Sequence, residues 1–126
     1  SYYPRNKAPG SLYSEEIEEE EKSPEIPIYR LELLTPHGYF SPLTLDLNQS
    51  SQVQVRFWPA NTTDKTVTST TTEYVTVTQD ANNPSSVTIT AIKETPTTWF
   101  FGTIYWPQEV VLSSHGKTVS FYVIVK

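Results

Sequence analysis

The sequence predicts an all-β protein, an antiparallel β-sandwich of about seven strands preceded by an extended N-terminal arm. Three observations carry that expectation. Apolar and polar residues alternate with a period of two in several short runs. Turn residues, mostly Pro, Asn, Ser and Gly, stand between those runs at short intervals. β-branched residues dominate the runs, and no window places apolar residues at helical spacing.

The chain has 126 residues and a formal net charge of −5, a length suited to one domain. It divides near residue 35 into two compositional regimes. Residues 1–34 hold Glu15, Glu16, Glu18, Glu19, Glu20, Glu21, Glu25 and Glu32 against Arg5, Lys7, Lys22 and Arg30, and contain no threonine. This stretch is expected to be an acidic, Pro-containing arm. Residues 35–126 are rich in Thr and Val and carry nearly balanced charge, as expected of the sandwich itself.

The elements follow in order. Residues 28–34 and 43–47 form the first two expected strands. In 52–57, Val53, Val55 and Phe57 alternate with Gln52, Gln54 and Arg56, which sends one face inward and one to water. Residues 65–72 are a Thr-rich fourth strand. Val75 and Val77 mark 74–79, and Val87, Ile89 and Ala91 mark 86–92. An aromatic strand is expected over 98–106. Residues 117–125 are an eighth candidate, apolar at almost every position from Val119, as for a strand covered on both faces. Turns are expected at Pro59-Ala60-Asn61, Asn82-Asn83-Pro84, Glu94-Thr95-Pro96 and Ser113-Ser114-His115-Gly116.

The stretch from Leu43 to Thr72 carries a family likeness. Leu43-Thr44-Leu45-Asp46-Leu47 and Gln52-Val53-Gln54-Val55 precede Pro59-Ala60-Asn61-Thr62-Thr63-Asp64-Lys65-Thr66-Val67-Thr68. This pattern resembles the bacterial Ig-like group 2 domain, whose signature is a strand, a Pro-x-Asn-Ala-Thr-Asn/Asp-Lys turn and a Thr-Val-Thr strand. Pro59, Asn61, Thr63, Asp64, Lys65, Val67 and Thr68 stand at the matching positions. In that turn Pro fixes φ and Asn or Asp closes an Asx turn before the next strand. Ser69 stands where the family usually has Trp, and Thr97 to Trp106 replaces its Gly-rich second half. The resemblance implies an Ig-like sandwich without catalytic residues. Such modules occur in bacterial surface adhesins and as accessory domains on tailed-phage capsid, tail and fibre proteins.

Several classes of chemistry have no support in the residues. Without cysteine the chain has no disulfide framework, thiolate metal site or thiol nucleophile. His37 in Thr35-Pro36-His37-Gly38 and His115 in Ser114-His115-Gly116 both read as turn residues. No nucleophile elbow, zinc-protease helix motif, P-loop or dinucleotide fingerprint is present. The Glu15–Glu21 run lacks the spacing and turn glycine of an EF-hand and reads as a solvated segment or a docking element for a basic surface. No catalytic residue, metal ligand or cofactor is therefore expected. The acidic balance opposes a nucleic-acid partner and anionic membrane surfaces. No apolar run is long enough to span a bilayer, so no membrane insertion is expected. The sequons at Asn48 and Asn61 fall where Ser and Thr are frequent enough to produce them by chance.

The expected function is that of a non-enzymatic virion structural protein: a tailed-phage capsid decoration or auxiliary protein on the capsid surface. Tyr2, Tyr3, Arg5, Tyr13, Glu15, Glu16, Glu18 and Glu19 are the expected anchoring residues of the arm. Their partners would be the major capsid protein or other virion subunits, met in many copies. The alternative is a bacterial cell-surface adhesion or carbohydrate-binding module, extracellular, with Trp99, Tyr105 and Trp106 as a surface patch for a host-surface glycan. Trp99, Phe100, Phe101, Tyr105 and Trp106 crowd one expected strand. One of its faces is expected in the core, the other under the arm or free for a partner.

Overall fold

The computed structural model describes residues 24–126. The anchoring residues expected in the arm, Tyr2 to Glu19, lie outside them. The described residues contain ten strands and no helix. β1 (Arg30–Leu33), β3 (Ser50–Trp58), β6 (Ser86–Ala91) and β5 (Val75–Gln79) form one sheet in that spatial order. The second sheet runs β2 (Leu43–Leu45), β10 (Lys117–Val125), β9 (Gln108–Ser114), β4 (Thr68–Ser69). β7 (Thr97–Trp99) and β8 (Thr103–Tyr105) form a separate two-stranded ribbon.

The strand order is that of an Ig-like sandwich. β1-β3-β6-β5 corresponds to the A-B-E-D sheet, and β4-β9-β10 to C-F-G. β2 extends the second sheet by pairing in parallel with β10, Val123 opposite Leu43 and Val125 opposite Leu45. All other pairs are antiparallel.

The period-two pattern becomes a core between the sheets. Leu31, Val53, Val55, Phe57, Val75, Val87, Ile89 and Ala91 project from the first sheet. Leu45, Val110, Leu112, Phe121, Val123 and Val125 meet them from the second, joined by Val67 and Ile28. Burial of this apolar surface, at about 25 cal/mol per Å², is the main force joining the two sheets.

Four sequence expectations change. The sandwich begins before residue 35: Ile28 and Leu31 are buried, and β1 pairs with β3 from Arg30–Trp58 to Leu33–Val55. The strand expected over 28–34 thus belongs to the sandwich, although the acidic composition of residues 1–34 groups it with the arm. The strand expected over 65–72 shrinks to β4, because side chains take over the backbone hydrogen bonds around it. Asp64 accepts from the Thr66 N–H, while Gln79 accepts from the Val67 N–H and donates to the Lys65 carbonyl. Thr71 Oγ1 accepts from the Val111 N–H where a longer ladder would run. The strand expected over 98–106 turns back on itself at Phe100–Gly102, where Phe101 has φ 51° and Gly102 φ 140°. β9 was hidden by Pro107 and the polar Gln108-Glu109 start, although Val110 and Leu112 bury its inner face.

β10 sits centrally between β2 and β9. Its outer face is half-covered: Tyr39, from the loop after β1, meets Tyr122 edge-on at 5.4 Å between ring centroids. The Tyr122 N–H donates to the His37 carbonyl, holding that loop against the strand.

Candidate functional site

The topology sorts the loops onto two poles. At one pole the chain enters the sandwich at Ile26, beside the Pro59–Thr66 loop, the Asp80–Ser85 loop and the His115-Gly116 turn. The Thr62 hydroxyl donates to the Ile26 carbonyl at 2.6 Å, and the Thr63 N–H donates to the same oxygen at 2.9 Å. The Thr63 hydroxyl also accepts from the Ile26 N–H. These are the residues of the Pro-x-Asn turn, and Asp64 makes the Asx contact expected there, Oδ1 accepting from the Thr66 N–H at 3.0 Å and hydroxyl at 2.6 Å. The Thr66 hydroxyl, then its N–H, and least of all His115 hold the Asp64 carboxyl below its ordinary value, against an opposing desolvation. His115 Nε2 lies 3.1 Å from Asp64 Oδ2.

Both side chains of that His–Asp pair are about half exposed. His37 lies elsewhere, its ring 6.3 Å from that of Phe121 in the middle of β10. The two histidines are thus separated by roughly 20 Å of strand at about 3.4 Å per residue. A groove of about 470 Å³, open to solvent, is lined by Thr70, Thr71, Thr72, Glu73, Tyr74, Gln108, Glu109 and Val110. Glu73 there pairs with Lys93 at 3.2 Å. Among the described residues no cluster of three His, Asp or Glu could hold a metal ion.

The opposite pole carries the more unusual surface. It gathers the Asp46–Gln49 turn, the Thr70–Tyr74 loop, the segment from Ile92 to Pro107 and the last residue, Lys126. Thr95 fastens this segment to the sandwich. Its N–H and hydroxyl both donate to the Val125 carbonyl, and the hydroxyl accepts from the Val125 N–H, all within 3.2 Å and buried. Beyond it the β7–β8 ribbon stands off both sheets.

The ribbon corrects the expectation for the aromatic residues: none of them enters the core. Trp99 is 74% exposed, Phe100 68%, Phe101 88% and Trp106 41%. Tyr105 is half-buried, with the Lys126 ammonium 5.7 Å from its ring centre. Trp99 and Trp106, named from the sequence, do reach the surface. Phe100 and Phe101, not named for the patch, join it because the backbone reverses there, where a straight strand would turn one of the two inward. A Phe-Phe-Gly triplet followed by Thr-Ile-Tyr was the available sign of a hairpin. Tyr39 and the nearly fully exposed Phe40 form a second, smaller aromatic feature beside β10 that sequence patterning did not single out.

The two sequons fall on opposite poles. Asn61 is exposed in the Pro59–Thr66 loop, and Asn48 is exposed in the β2–β3 turn with φ 72°. No family model matches the chain, and no curated protein matches its sequence.

Proposed function

We propose that this chain is a non-enzymatic structural module of a virion, a tailed-phage capsid decoration or auxiliary protein. It is held on the capsid surface through its N-terminal segment and presents the far pole outward. The observation that carries this reading is the placement of the two poles. The chain joins the sandwich at Ile26, and the aromatic ribbon leaves from the other end. The nine-residue strands β3 and β10 separate them by about 30 Å. A domain tethered at one end and carrying uncommitted aromatic surface at the other has the geometry of a spacer with a contact tip. The virion setting comes from the likeness of residues 43–72 to the bacterial Ig-like group 2 domain, which agrees with the Ig-like strand order.

The exposed aromatic ribbon also favours a second reading, a bacterial cell-surface adhesion or carbohydrate-binding module. One experiment separates the two. Antibodies against the sandwich are used for immunogold labelling of purified particles and of whole cells from the source. Label on capsids supports the virion reading, label on the cell envelope without particles supports the second, and label confined to cell interiors refutes both.

A further inference from the structure

The β7–β8 ribbon contributes nothing to the core. All of β7 is exposed, β8 is exposed or half-buried, and neither strand pairs with a sheet. A lone two-stranded ribbon is marginal in water, so its apolar side chains are not explained by folding. They gather at its apex, Trp99, Phe100 and Phe101, with Ile104 and Trp106 behind them.

Two further features narrow what the apex fits. No residue between Glu94 and Glu109 is charged, in a chain of net charge −5. The ribbon is closed on itself: residues 97–99 pair with 103–105, the Phe100 N–H donates to the Gly102 carbonyl, and the Trp106 N–H donates to the Pro96 carbonyl. The Trp106 indole N–H donates to Thr98 Oγ1 at 2.8 Å. A projection with apolar rings and no charge fits the boundary between an apolar medium and water, where the amides at the ribbon's edges can still reach polar groups.

We propose that this apex seats in the interfacial layer of a neutral, zwitterionic phospholipid bilayer. Trp and Phe enter the headgroup and upper acyl region while the threonines stay at the water side. The expectation of no membrane insertion rests on the lack of a long apolar run, which bears on spanning and not on a seated tip. The net acidic charge selects neutral over anionic lipid. Other occupants fit less well. Phe100 and Phe101 meet at 72° and Trp99 and Phe101 at 42°, so the rings share no plane for stacking a sugar chain. The ribbon's four exposed rings, Trp99, Phe100, Phe101 and Trp106, offer roughly 400–700 Å², below the about 800 Å² per partner of a standard interface between two copies.

The test uses the full chain in flotation with phosphatidylcholine vesicles, beside a variant carrying Phe100→Ser and Phe101→Ser. Both rings are exposed, so thermal unfolding should be the same in the two proteins. The chain is expected to float with neutral vesicles equally at low and high salt. The double variant should lose roughly a hundredfold in partitioning, about tenfold or more for each ring withdrawn from the interface. Absence of flotation overturns the proposal, as does binding confined to anionic vesicles and lost in salt. Equal binding by the variant overturns it too. Concentration-dependent dimers of the chain that the variant abolishes, without vesicle binding, would assign the tip to a second copy instead.

Discussion

Leu31→Ala tests whether the sandwich begins before residue 35. Leu31 is 4% exposed, stands opposite Phe57 across β1–β3, and belongs to the same cluster as Ile28 and Val55. Removing three carbons at about 0.8 kcal/mol each costs about 2.4 kcal/mol in transfer free energy. A residual cavity adds about 24 cal/mol per Å³, reduced here because β1 is an edge strand free to move inward. The expected loss is therefore about 2.5–3.5 kcal/mol. At about 4–8 °C per kcal/mol for a domain near this size, the melting temperature should fall by at least about 10 °C. Urea unfolding followed by Trp fluorescence measures the same loss, with Leu34→Ala as the control. Leu34 is 47% exposed, and its truncation should stay within about 0.5 kcal/mol. If Leu31→Ala unfolds like the control, β1 is no part of the cooperative unit and the boundary belongs near residue 35 after all.

Three further outcomes follow from single contacts. Thr95→Val leaves the buried Val125 N–H without its acceptor and should cost about 1–3 kcal/mol in urea unfolding. Asp64→Asn tests the lowered carboxyl. A depressed acid stabilises the fold above its ordinary value of 3.8 and loses that contribution as pH falls through the lower, folded value. Urea midpoints taken from pH 6 downward should therefore drop less steeply below the ordinary carboxyl range in the Asn variant than in the parent. Gly116→Ala should cost about 1–2 kcal/mol, because Gly116 holds φ 79° in the His115-Gly116 turn although no atom crowds a new Cβ. Gly38→Ala, equally uncrowded and without positive φ, should be neutral in the same thermal melts.

The sequence made legible whatever depends on one strand at a time. Val53, Val55 and Phe57, and likewise Val87, Ile89 and Ala91, alternate so cleanly that their burial follows from period two alone. The Asp64 Asx turn and the His115-Gly116 turn were readable from local chemistry. What stayed hidden depends on contacts distant in the chain. Gln79 reaches Lys65 and Val67 from β5, ending the fourth strand early, and nothing near residue 65 announces that. Two-faced hydrophobicity over 98–106 suggests a single strand with one face in the core and the other under the arm or free for a partner. The backbone instead reverses at Phe101 and Gly102, which puts both faces in solvent. The candidate contact surface was thus legible in composition and misjudged in setting.

The most direct test of the tethered-spacer account is hydrogen exchange on the full chain bound to purified particles, against the free chain. The account predicts new protection at the Ile26 pole, over 59–66 and 113–116, while residues 97–106 exchange as they do in the free chain. Protection of 97–106 with the Ile26 pole unchanged would contradict it, because the aromatic ribbon would then be the anchor rather than the presented end.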